Sequence, residues 1–189
     1  MYEAEIKILE AAINKILPGL QMYVRDVNLP PQTAAKYKTG IILREPAFCD
    51  ASARVGGMIM SHRFAILSNQ CFNADQYGKD TGWGLHICQR DSFFKVLDVY
   101  EYSCRTQITL LHLDKDYWQL FQNVQADFLD GLVTSCRERF EKKCLLTAIP
   151  ELAAKEWLER CVMPIGIDDN NEFYPIPQKE PLMPQNTDA

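Results

Sequence analysis

The residues able to do chemistry are few enough to take one at a time. Three histidines stand at His62, His86 and His112, and seven cysteines at positions 49, 71, 88, 104, 136, 144 and 161. Imidazole and thiolate are favoured zinc ligands, and a thiol held beside an imidazole is a nucleophile with its base. The cysteines are irregularly spaced and no C-x-x-C occurs, which removes zinc ribbons and thioredoxin-type motifs. His62, His86 and His112 all fall in expected strands. A zinc site built from them, completed by Cys88 or Asp98, needs a cross-strand register that the spacing does not demand. The competing reading is three unrelated core histidines, each satisfied by a backbone carbonyl, and no metal or cofactor is expected.

For nucleophilic chemistry the candidate is Cys71, in the run Ser-Asn-Gln-Cys-Phe-Asn between a strand and a polar loop reaching from Asn69 to Gly82. A thiolate is reachable in such a place, and His86 is the accompanying histidine candidate. Cys49, followed by Asp50 in an expected loop, is weaker. No local signature of a thiol-enzyme family surrounds Cys71. The chain has no P-loop, no H-E-x-x-H and no G-x-S-x-G. Gly82-Trp83-Gly84 opens like a dinucleotide loop, but Ile87 occupies the third glycine position. Asp168, Asn170 and Glu172 alternate as in a calcium loop, yet Phe173 replaces the required glycine. Asp98 and Glu101 lie at odd spacing on one strand, so they face apart and make no acid/base pair.

The elements that must position these groups follow from periodicity. Ile6, Leu9, Ile13 and Ile16 recur at helical steps over 1–17, ended by Pro18-Gly19. Residues 18–39 read as a connector. Gly40–Arg44 is a short strand, and a β-rich stretch follows. Within it, 57–67 as one strand puts Met58, Met60, His62, Phe64 and Ile66 on one face, whereas a bend at Ser61-His62-Arg63 makes a hairpin tip. GLHICQR (84–90), FFKVLDVYEY (93–102) and TQITLLHL (106–113) have short connections and read as an antiparallel meander. From about 116 a four-residue ladder, Leu120 to Cys144, predicts a long helix, and 150–161 a second one with Pro150 in its first turn. The fold class expected is α+β: an antiparallel meander of about four to six strands over residues 40–113, with the N-terminal and two C-terminal helices packed on one face. Residues 1–175 form one domain and 176–189 a proline-rich mobile tail.

Composition limits what such a domain does. A net charge of −5 over 189 residues disfavours sequence-independent nucleic-acid binding and anionic membranes. An odd number of scattered cysteines, no signal-peptide pattern and no long apolar run point to the reducing cytoplasm. With so few motifs, the expected role is that of a small acidic intracellular protein acting by protein–protein binding. A regulator or inhibitor fits, including an immunity-type antagonist of a partner with a basic surface. The contact surface is then the polar sheet face with its aromatics: Asp91, Phe93, Lys95, Asp98 and Glu101. Two alternatives stand beside it: a hydrolase or transferase using Cys71 or a histidine, and a small-molecule sensor with a pocket between meander and long helix.

Overall fold

The computed structural model describes residues 3–77, 81–122 and 127–177. The first helix forms where the periodicity places it: α1 spans Glu3–Ile16, buries Ala12 and Ile16, and stops before Pro18 and Gly19. Gly19 has φ 73°, a backbone conformation that glycine reaches without a Cβ clash. Eight strands follow: β1 (Gln21–Val27), β2 (Ile42–Glu45), β3 (Cys49–Ser52), β4 (His62–Ser68), β5 (Phe72–Asn73), β6 (Leu85–Cys88), β7 (Ser92–Tyr102) and β8 (Arg105–Leu113). They form one sheet in the order β2-β7-β8-β4-β1-β3-β6-β5. β4 runs parallel to β8, and the other pairs are antiparallel.

This mixed sheet corrects the expected meander. β7 and β8 do form the hairpin, through Ser103 and Cys104 at φ 50° and 59°, the two positive values that a type I′ turn needs. β6 does not join them. It pairs with β3 and β5, while β2 takes the far edge of β7. β1 was expected to be connector because Arg25 and Asp26 interrupt its apolar pattern, and β3 because Cys49-Asp50 reads as loop. Both are interior strands of the sheet, and such strands need not show the apolar–polar alternation of a one-sided strand.

The sheet carries a core on each face. On one, Tyr23, Leu43, Cys49, Phe64, Ile66, Cys88, Phe94 and Leu110 pack together. These come from strands at both ends of the order, so the sheet curls and its two halves pack on each other. On the opposite face, Leu67, Phe93, Leu111 and Leu113 lie under α1, the 3₁₀ turn Trp118–Phe121, and a helix over Asp127–Lys143. We number that helix α3, after α2 (Pro31–Ala34). The long helix expected from 116 is therefore a 3₁₀ turn and a shorter α-helix, with Leu129, Cys136, Phe140 and Cys144 buried.

The expected helix at 150–161 is broken into α4 (Pro150–Ala153) and α5 (Lys155–Arg160) by Ala154, whose ψ of 147° is extended. α5 does not join α1 and α3. Trp157 packs on Trp83 with ring centroids 5.6 Å apart, and Arg160 pairs with Asp50 of β3 at 2.8 Å. Glu151 pairs with Arg54 at 3.3 Å. Beyond Pro177 the expected tail lies outside the described residues. Among the described residues no helix is long and apolar enough to cross a membrane.

Residues 58–61 bend before β4 begins at His62, so 57–67 is neither a single strand nor a hairpin. The bend is held from below: Gly57 N donates to Thr147 O at 3.2 Å and Met58 N to Cys144 O at 3.0 Å. A Cβ on Gly57 would overlap the Leu146 carbonyl, a backbone group that cannot swing aside. Gly57→Ala is expected to destabilise the protein by about 3 kcal/mol, read as a lower midpoint in urea unfolding at unchanged slope. An unchanged midpoint would show that the 144–148 segment gives way freely.

Candidate active site

The site assembles where β4 ends. Leu67 faces Leu111 in the parallel β4–β8 ladder, which places Ser68 beside His112. Ser68 Oγ and His112 Nδ1 are 2.8 Å apart, and both residues are buried. The chain then turns: Gln70 N donates to Ser68 Oγ at 2.9 Å, and Asn69 Nδ2 ties the turn to the end of α1 through Lys15 O and Pro18 O. This delivers Cys71 to the edge of β6. The β5–β6 register pairs Phe72 with Ile87 and Asn73 with His86, so Cys71 lies opposite Cys88. Their sulfurs are 2.7 Å apart. A ring nitrogen of His112 and the two sulfurs all lie within 4.8 Å of one another. On the far side of Cys88, the β3–β6 register pairs it with Cys49.

Electrostatics divide the pair. A hydrogen bond from Cys88, then bonds from His112 and Ser68, hold the Cys71 thiol at about 5, against burial, which pushes it up. Cys88 moves the other way: its bonds with Cys49 and Cys71, and burial, drive it well above the ordinary thiol value. One proton is thus shared, with the negative charge on Cys71, the half-buried member, and the proton on Cys88, the buried one. Zinc does not suit this spacing. Two thiolates at about 2.3 Å from a tetrahedral zinc stand roughly 3.8 Å apart, so these sulfurs would have to separate to clasp one.

His112 also lines an open cleft of about 520 Å³, whose wall includes Arg44, Gln70, Arg90, Asp91 and Lys115. Arg44 is matched to Asp91 at 2.6 Å, and Asp114 to Lys15 at 2.8 Å. Among the described residues no carboxylate pairs with Arg90 or Lys115, so the cleft presents two cations beside His112.

Of the groups singled out from the sequence, the structure unites Cys71, Cys88 and His112, sets Cys49 opposite Cys88, and leaves His62 and His86 apart. His86 turns to Gly84 O at 3.1 Å and packs against Tyr23 at a tilt of 34°, with ring centroids 4.6 Å apart. His62 sits at the opposite end of β4, half-buried, its Nδ1 2.7 Å from Ser61 Oγ, and burial pushes its pKa down. The three histidines do not converge. The expected contact surface is corrected too. Phe93 stacks on Trp118 at 4.8 Å, Lys95 donates to Phe121 O at 2.5 Å, and Asp98 accepts two bonds from Arg137 at 2.8 and 2.7 Å. All three are buried, and only Asp91 and Glu101 remain exposed. Phe93 and Lys95 lie under the 3₁₀ turn Trp118–Phe121, and a β-bulge between Val96 and Asp98 inserts one residue and turns Asp98 to the same helix-covered face. Sequence reasoning missed Ser68 and Cys88 as partners of Cys71 because no local spacing connects them.

No family model matches the sequence, and no curated protein matches it. Solved structures that align with part of the chain include the type III effector XopAI from Xanthomonas axonopodis pv. citri, at 13% identity and TM-score 0.44 over 50% of this chain and 44% of that one. ADP-ribosyltransferase HopU1 of Pseudomonas syringae pv. Tomato DC3000 aligns at 17% identity and TM-score 0.45 over 50% and 45%. C3stau2 from S. aureus, solved with NAD, aligns at 12% identity and TM-score 0.42 over 61% and 74%. The alignment thus spans less than half of the effector and of HopU1. The expected role of a protein-binding regulator is corrected, because three of the five residues of its contact surface, Phe93, Lys95 and Asp98, are buried.

Proposed function

We propose that this chain is a thiol-dependent group-transfer enzyme with Cys71 as its nucleophile. The observation that carries the reading is the Cys71 sulfur 2.7 Å from the Cys88 sulfur and within 4.8 Å of a His112 ring nitrogen, contacts that lower its thiol pKa, with His112 opening onto the cleft. A thiolate is nucleophilic where a thiol is not. Arg90 and Lys115 suit the anionic part of a donor, with phosphate or carboxylate oxygens accepting their bonds. Cys71 attacks the electrophilic carbon of the donor, and the bond to the leaving group breaks with its electron pair. His112 is placed to pass a proton to that group. An acceptor nucleophile then takes the transferred group from sulfur and returns the thiolate. With water as acceptor, the same steps are a hydrolysis.

Two phosphate-bearing donors test it: NAD, present with one of the aligned proteins, and acetyl-coenzyme A. Intact-mass analysis of the full chain is expected to show the transferred group on Cys71 with at least one of them. The adduct should vanish in Cys71→Ser and form about 100-fold more slowly in His112→Gln. Labelling that persists in Cys71→Ser, or an equal rate in His112→Gln, would remove Cys71 or His112 from the mechanism.

A further inference from the structure

The cross-strand cysteines carry a second chemistry. Opposed residues of antiparallel strands have Cα atoms about 4.5–5.5 Å apart, inside the roughly 4.4–6.8 Å range that a disulfide bridges without moving the backbone. Cys71 and Cys88 occupy such positions, and their sulfurs already lie at 2.7 Å, well inside the van der Waals separation of two sulfur atoms. Cys88 is fully buried, while Cys71 is half-buried at the sheet edge, so a small oxidant meets Cys71 first. We propose that Cys71 and Cys88 form a peroxide-sensing pair, in which a hydroperoxide oxidises Cys71 and Cys88 resolves it to an intramolecular disulfide.

The electrons balance in two steps. The Cys71 sulfur attacks the distal peroxide oxygen, the O–O bond breaks, and Cys71 becomes a sulfenic acid while hydroxide (or alkoxide) departs and takes a proton. The Cys88 sulfur then attacks the sulfenic sulfur and loses its own proton. The S–O bond breaks, water leaves, and the S–S bond forms. Two thiols give two electrons to one peroxide, which is reduced to two waters or to water and an alcohol. A thiol reductant reverses the reaction by exchange.

The register offers Cys88 a rival partner in Cys49, also opposite it but almost fully buried. Being solvent-shielded, Cys49 does not meet the oxidant first. The disulfide therefore belongs to Cys71 and Cys88, and it removes the nucleophile that the transfer reading uses.

Full-length reduced protein treated with one equivalent of hydrogen peroxide, then digested and read by mass spectrometry, decides the matter. The expected product is a single Cys71–Cys88 cross-linked peptide pair, two hydrogens lighter and restored by dithiothreitol. Cys49→Ser should give the same product. Cys88→Ser should instead accumulate a dimedone-trappable sulfenic acid on Cys71. A Cys49–Cys88 link, or over-oxidation of Cys71 with Cys88 still free in the wild type, overturns the proposal. The readout is a mass and needs no donor. A disulfide without any donor adduct sinks the transfer reading alone, and an adduct without the disulfide sinks this one alone.

Discussion

Between pH 6 and pH 8 the rate of Cys71 alkylation by iodoacetamide is expected to change by less than about 10%, while a cysteine-containing model peptide speeds up about seventy-fold. The reagent reacts with thiolate. A thiol at about 5 is already some nine-tenths ionised at pH 6, so little remains to gain. A thiol at roughly 8.5 is under one per cent ionised at pH 6 and about a quarter ionised at pH 8. Partial burial slows Cys71 at every pH alike, so the shape of the profile, not its height, is diagnostic. Intrinsic nucleophilicity falls with thiol pKa, and this too scales the curve without tilting it. The hydrogen bond from Cys88 is the foremost cause of the lowered value, so Cys88→Ala should restore a rise across this window. His112→Gln, which removes a lesser contribution, should restore a smaller one. A wild-type profile that climbs tenfold per pH unit would show Cys71 to be an ordinary thiol and would take the nucleophile from the proposed mechanism.

Asp26→Ala is expected to cost about 3–5 kcal/mol, with a fall in Tm of about 6–20 °C. Asp26 and Arg63 are direct partners on β1 and β4, and the guanidinium donates from Nε and Nη2 to the two carboxylate oxygens at 2.7 and 2.8 Å. Arg63 is only 1% exposed, and its Nη1 already has no partner among the described residues. Removing the carboxylate leaves a desolvated cation without its counter-charge, which is the costly way to break such a pair. Replacing both partners by apolar residues, as in Asp26→Leu with Arg63→Met, should recover most of the loss, because the pair's own net contribution is small against its desolvation cost. Thermal melts of the three variants separate the contributions. A mild Asp26→Ala would mean that water reaches Arg63.

The buried pair also explains why β1 was hard to read. Arg25 and Asp26 break the apolar pattern that marks a strand, and they read as surface charge. In the fold Asp26 is tied to Arg63, while Arg25 is buried and donates to Met163 O at 2.8 Å and Asp50 O at 3.3 Å. Its partners lie in other strands or beyond α5, where no window along β1 contains them. Asp98 taught the same lesson from the other side. Strict alternation places it on the face opposite Phe93 and Lys95, and a bulge of one residue turns it onto theirs.

By itself the sequence determined what depends on neighbours along the chain. Helical period and a Pro-Gly stop set α1, a short connection made the β7–β8 hairpin, and the run after Ser68 marked Cys71 as the thiol just past a strand. Tertiary structure alone decided its partners. Cys71 meets Cys88 across 17 residues, and Ser68 meets His112 across 44. Those meetings depend on strand order and register, which arise when the two halves of the sheet close over a common core. Hydrophobic period says which face of a strand is buried, but not which strand will lie beside it. That choice belongs to the packing of the whole chain, and it brings a thiol, its acidifying neighbours and its resolving partner to one place.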